Sequence, residues 1–167
     1  MGDSEVVIIA VKSYDLQETT KILRTFEGKI IICQNGLEML DYKPRNSNDI
    51  LAIVTSVGAV SLELGITEFM GTGNTVIGNL NGTDNRTWNL VYIFTEKYFR
   101  ILPVKNIIKH IWLKATINSA INPIASFYGL RNGRLSEEKY WNLVEELLKE
   151  SMKIAKANNI ELSLIHI

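Results

Sequence analysis

Between Trp112 and Gly133 the chain sets Lys114, Asn118 and Asn122 at i, i+4 and i+8. They stand within an otherwise apolar run of Trp112, Leu113, Ala115, Ile117, Ala120 and Ile121. On an α-helix residues four apart lie one above another, so these three polar heads form a single stripe. An ammonium and two carboxamides on a dry helix face need partners, and no acidic residue lies between Lys114 and Glu137. The stripe therefore asks for a ligand or for a distant part of the protein. A plainer account has the lysine snorkelling out of a buried helix and the asparagines bonding nearby backbone. Pro123 closes the stripe; inside a helix it frees the carbonyl of Ser119 and tends to kink the axis there, as if to bend around something.

The elements that must carry these residues are bounded by composition. Of 167 residues, 46% are hydrophobic and 22% charged, ordinary values for a soluble protein with one good core or two small ones. Lys plus Arg and Asp plus Glu are equal at 18 each, so bulk charge favours neither nucleic acid nor an anionic membrane. A lone cysteine, Cys33, excludes an internal disulfide and fits a reducing cytoplasm. Together with His110 and His166 it offers no zinc-ligand spacing, so no metal is expected. Near the amino terminus Asp3 and Glu5 stand where a secretory signal carries base, and Val6 to Val11 is too short to span a bilayer. Val6 also stands where a myristoylation signal after Gly2 needs Ser or Thr. The expectation is a soluble, cytoplasmic chain.

Continuous apolar runs at Val6 to Val11, Lys29 to Gln34 and Ile50 to Val57 read as strands buried on both faces of a parallel sheet. Between the first two, Asp15 to about Arg24 reads as a helix with Leu16, Ile22 and Leu23 on its buried side, completing a βαβ unit. Ligands of open α/β sheets bind outside the carboxyl ends of the strands, which puts Lys12 and Asn35 at one crevice. Read singly, Lys12 is a solvated charge and Asn35-Gly36 a turn pair. Glycines 58, 65, 71, 73 and 78 punctuate a hairpin or meander with strands at Thr67 to Met70 and Thr75 to Ile77. Gly71 to Gly78 matches neither phosphate-binding glycine pattern and reads as turn chemistry. After a polar loop at Asn81 to Asn85 come a helix at Arg86 to Tyr98, a short strand at Ile101 to Val104 and helices over 106–128 and from Ser136 to Asn158. The last of these has Trp141, Val144, Leu148, Met152 and Ala155 as its core positions.

Lys12, Gln34-Asn35-Gly36, Thr55-Ser-Val-Gly-Ala59, and above all Lys114-x-x-x-Asn118-x-x-x-Asn122-Pro123 followed by Asn132-Gly133, resemble one family, 2-dehydropantoate 2-reductase or ketopantoate reductase. The resemblance runs nearly end to end. It implies an α/β, partial Rossmann-like NADP-binding domain over 1–104, followed by a partial all-α substrate and catalytic domain over 105–167. The implied reaction is NADPH-dependent reduction of the 2-oxo acid 2-dehydropantoate to (R)-pantoate, on the route to pantothenate and coenzyme A. Lys114 matches the family's proton donor, and an ammonium can both stabilise a developing alkoxide and protonate it. Asn118, Asn122 and Asn132, with Lys114, match substrate-holding positions, whereas Lys12, Asn35 and Ala59 match positions that contact NADP(H).

Two family features have no counterpart here: the amino-terminal strand with its Gly-x-Gly-x-x-Gly turn, and the later helices that carry a substrate serine and a cofactor glutamate. On the resemblance, the chain is expected to be the middle of a reductase. A homodimer is one assembly the reading allows, and in a truncated chain the sheet edge left by a missing first strand would promote association. Two alternatives stand beside this reading: a reductase of another 2-oxo acid on the same frame, and a truncated, non-catalytic binding or dimerisation chain.

Overall fold

Where a strand run has no polar alternation, both of its faces need cover, and in this chain two such runs lie inside a sheet. The computed structural model describes residues 6–42, 50–80 and 101–163. It comprises two compact units, Met1–Ile108 and Lys109–Ile167.

In the first unit β1 (Val6–Ile9), β2 (Lys29–Ile32) and β3 (Ile50–Thr55) pair in parallel, Val6 opposite Lys29 and Ile31 opposite Leu51. Helix α1 (Leu16–Ile22) links β1 to β2, flanked by 3₁₀ turns at Ser13–Asp15 and Leu23–Thr25. Leu16 and Leu23, seven residues or about two turns apart, are its buried side chains. Ile22 is 62% exposed and not on the buried side as the sequence had led us to expect. It lies about 100° around the axis from Leu23, which takes the inward place. A second correction concerns β1: Ile8 is half exposed, because β1 is an edge strand among the described residues and lacks a neighbour on one side. β2 is buried over residues 30–32 and β3 over residues 50–53, the remaining residues of each being partly exposed, and Ile31, Leu51 and Ile53 join Ile77 and Ile101 in the core.

The glycine-punctuated region pairs differently from the expected meander. Strand β4 (Gly58–Glu63) forms a separate antiparallel hairpin with β5 (Ile66–Gly71), closed at Gly65, whose φ of 83° a residue with a side chain rarely adopts. β6 (Thr75–Asn79) leaves β5 and inserts antiparallel beside β3. β7 (Ile101–Pro103) then pairs parallel with β6, giving a five-stranded mixed sheet in the order β1-β2-β3-β6-β7. The difference has a simple cause: Ile77 and Gly78 are buried and belong to the core, whereas both hairpin strands are exposed. The expected loop at Asn81 to Asn85 and helix at Arg86 to Tyr98 lie outside the described residues.

The second unit is helical. α2 (Ile107–Tyr128) runs unbroken through Pro123, and α3 (Glu138–Ala157) packs with it around Ala120, Ile124, Ala125, Leu135, Tyr140, Val144 and Leu148. The two helices are also bridged by the hydroxyls of Ser119 and Ser151, 2.8 Å apart. On α3 the buried stripe is Tyr140, Val144, Leu148 and Ala155, while Trp141 is 45% exposed and not core. Tyr140 stands four residues before Val144 and continues its row; Trp141 falls about 100° to the side. Ser136 does not start α3 either. It ends a 3₁₀ turn, Asn132–Ser136, where its hydroxyl donates to the Gly133 carbonyl, and Glu137, in extended backbone, occupies the cap. Among the described residues, no helix is long and apolar enough to cross a membrane.

Truncating Ile31, which has no solvent exposure, should destabilise the first unit by about 2–5 kcal/mol, whereas Ile22→Ala should stay within about 0.5 kcal/mol. Urea unfolding of both variants checks this, and equal losses would refute the assignment of the buried side of α1.

Candidate active site

The chain leaves β1 through Lys12, whose backbone is extended (φ −65°, ψ 154°), and its carbonyl accepts from the Asp15 N–H at 3.0 Å to open the 3₁₀ turn. Lys12 itself is exposed. After β2 comes Gln34, buried, whose Nε2 donates to the carbonyls of Val11 at 2.7 Å and Lys12 at 3.3 Å. Both partners are acceptors, so the amide nitrogen must face them, and the orientation of the carboxamide is fixed by its own bonds. The loops that follow β1 and β2 are thereby tied together. Asn35 comes next and is exposed, followed by Gly36 at φ 99°. The other half of the Gln34 amide, Oε1, is buried with no partner among the described residues. An acceptor left in this state costs about 1–3 kcal/mol.

A third loop ends β3. Thr55 and Thr75 share a hydroxyl–hydroxyl bond of 2.6 Å across the antiparallel pair, and the Val57 N–H donates to the Thr55 hydroxyl at 3.2 Å. The Ser56 N–H and hydroxyl both donate to the Asn74 carbonyl, at 2.9 and 3.1 Å. A Cβ built on Gly73 would run into the Ser56 carbonyl, so glycine there lets the β5–β6 connection press against this loop. That gives a packing reason for a glycine in the turn between Gly71 and Gly78. Ala59 lies just past the loop, exposed in β4 opposite Phe69, in the two-stranded sheet.

These loops follow three adjacent parallel strands, the edge at which open α/β sheets bind ligands. They offer an exposed ammonium suited to a phosphate and an exposed carboxamide suited to hydroxyl or amide groups, a set that fits a dinucleotide.

In the helical unit, Lys114 and Asn118 are half-buried and Asn122 is exposed. Thr116, Ala120 and Ile124 are buried, each two residues after a member of the stripe and so roughly 200° around the axis from it. α2 gives Ala120, Ile124 and Ala125 to the helical core, and Lys114, Asn118 and Asn122 form a row that runs from half-buried to exposed. Neither Asn118 nor Asn122 enters a side-chain hydrogen bond among the described residues. Asn132 begins the 3₁₀ turn before α3 and is exposed. Buried Leu135 anchors that turn in the helical core, and Arg134 Nε donates to Glu137 Oε1 at 2.7 Å. This bond holds the Glu137 carboxyl below the usual glutamate range and raises the Arg134 guanidinium.

Within the first unit, then, the structure joins the loops of Lys12 and Asn35. Within the second it aligns Lys114, Asn118 and Asn122 and sets Asn132 on a pinned turn. Gln34 and the Thr55–Thr75 pair had not been singled out as separate site residues. The one available signal was a carboxamide two residues beyond Ile32, on the inward side of strand alternation.

Two family descriptions match the chain: "Ketopantoate reductase PanE/ApbA" over residues 1–82 and "Ketopantoate reductase PanE/ApbA C terminal" over residues 106–164. The 2-dehydropantoate 2-reductase of Pyrococcus abyssi is 29% identical over 161 residues, covering 94% of this chain and 54% of that protein. The chain spans about half the length of the curated relatives it matches. Among solved structures, a dimeric ketopantoate reductase from Staphylococcus aureus superposes with a TM-score of 0.78 at 22% identity, over 95% of this chain and 54% of that one. D-mandelate dehydrogenase in its ternary structure with NADH and anilino(oxo)acetate gives 0.83 at 19% identity, over 98% and 55%. At such identities these two likenesses speak for the fold, Rossmann-like with a helical second part.

Because the folded-state pKa of Glu137 is depressed, its contribution to stability is present above the unfolded pKa and lost as pH falls through the folded value. Carboxyl-carbon NMR titration should therefore place the Glu137 midpoint below the ordinary ~4.3 and return it there in Arg134→Ala. An unshifted wild-type midpoint would remove the ion pair as what pins the Asn132 turn.

Proposed function

The chain belongs to the ketopantoate reductase family, and from that premise we propose that the whole protein reduces 2-dehydropantoate to (R)-pantoate with NADPH, in the cytoplasm, on the route to pantothenate and coenzyme A. The observation that supports this reading is the row of Lys114, Asn118 and Asn122, four residues apart on a helix that is otherwise largely apolar. A homodimer is its proposed assembly, as in the dimeric relative from Staphylococcus aureus. The proposed division runs from a cofactor-binding α/β part over 1–104 to a substrate-binding helical part from 105 onward.

The roles follow from the chemistry of each side chain. When bound, the reduced nicotinamide supplies a hydride to the keto carbon. Lys12 pairs with phosphate, and Asn35 and the backbone at Ala59 complete the contacts of the chain to the dinucleotide. Lys114 donates a hydrogen bond to the keto oxygen, stabilises the negative charge that grows there, and gives its Nζ proton to the alkoxide. Asn118, Asn122 and Asn132 hold the oxo acid by its carboxylate and hydroxyl. As neutral donors they orient it without competing for the charge of the lysine.

Lys114→Ala in the whole protein should lower kcat for 2-dehydropantoate about 10²- to 10⁴-fold and leave the NADPH Kd unchanged. Turnover that survives the substitution would sink the proton-donor role. The fold shared with D-mandelate dehydrogenase favours a second reading, a reductase of another 2-oxo acid. Higher kcat/KM for a smaller or aromatic 2-oxo acid than for 2-dehydropantoate would select it.

A further inference from the structure

We infer that Gln34 is a positioning residue for the cofactor site: its side-chain amide clamps the loop after β1 onto the loop after β2 and so presents Lys12 beside Asn35. The inference rests on the cofactor reading above and adds to it a residue outside the set proposed to touch NADPH.

Four observations converge. Gln34 is more than nine-tenths buried, a rare state for a glutamine. Its Nε2 is shared between two successive carbonyls of the opposite loop, at 2.7 and 3.3 Å, across 22 and 23 residues of sequence. Regular pairing of β1 with β2 has ended by then: the last register pair is Ile9 with Ile32, and just beyond it the Cys33 N–H donates to the Ile9 carbonyl at 2.8 Å. Gln34 therefore continues by side chain a ladder that the backbone no longer supplies, at the point where the chain must leave the sheet yet keep Lys12 fixed. Finally, its Oε1 is buried without a donor among the described residues. The Lys12 carbonyl also accepts from Asp15, so the clamp and the 3₁₀ turn fix one peptide from two sides.

The test combines Gln34→Leu, Lys12→Ala and the double variant in the whole protein, with NADPH affinity from fluorescence titration and amide hydrogen exchange of residues 10–15 without ligand. We expect Gln34→Leu to speed exchange in that loop and to weaken NADPH binding about tenfold, or about 1.4 kcal/mol. The double variant should bind no more weakly than Lys12→Ala alone, because the glutamine acts through the lysine. Fully additive losses, or NADPH affinity unchanged in Gln34→Leu, would overturn the inference while leaving the cofactor reading intact. Absence of NADPH binding by the wild type, with exchange still faster in Gln34→Leu, would instead overturn the cofactor reading and with it the purpose assigned to the clamp. Gln34→Asn, one methylene too short to span both carbonyls, should behave as Gln34→Leu does; wild-type exchange and affinity in that variant would also count against the clamp.

Discussion

One helix has to satisfy two unlike environments, and much of the chemistry depends on how it does so. α2 packs Ala120 and Ile124 against α3, where a small residue and a serine pair let the helices approach. Because a helix advances about 100° per residue, Ala120 and Ile124, committed to that contact, lie about 200° around the axis from Asn118 and Asn122. Lys114 is half-buried on this helix. A lysine on an apolar helix can lay its methylene stem along apolar surface, and in the proposed role its ammonium would stabilise and protonate a developing oxyanion.

The α/β unit meets a related constraint at the ends of its strands. Parallel strands must stop together for their loops to share one crevice, but a loop that leaves the ladder loses the bonds that held it. Here the loops after β1, β2 and β3 are each fixed by polar contacts made just beyond the last strand residue: Gln34 to Val11 and Lys12, and Ser56 to Asn74. Gly73 is part of the same arrangement, since a side chain there would push the Ser56 loop away. The loops are irregular in shape yet fixed in place, as a binding edge requires.

How much of this was readable beforehand differs by link in the chain. Lys114, Asn118 and Asn122 announced themselves because helical spacing is local, and their placement opposite Ala120 follows from the same period. The strand cores were equally plain, but their ends were read two residues too long: Val11, Gln34 and Val57 resemble strand residues and serve as loop residues. Trp141 was mistaken for core because hydrophobicity outweighed register, and Tyr140, one residue earlier, fits the row of Val144 and Leu148. The pairing of β4 with β5 and the insertion of β6 beside β3 depend on contacts far apart in sequence, which no short window contains. Gln34 lies in the same category: its meaning comes from two carbonyls more than twenty residues away.

In its proposed role the stripe would also limit how selective the chain can be. An ammonium and carboxamides recognise what all 2-oxo acids share, a keto oxygen, a carboxylate and hydrogen-bonding neighbours, and are indifferent to the rest of the substrate. Discrimination between a hydroxylated branched substrate and an aromatic one must come from shape and from groups that fill or leave unpaired the space around that common core. A ketopantoate reductase and a D-mandelate dehydrogenase both superpose on this fold, so on the proposed reading the fold alone does not choose between their substrates.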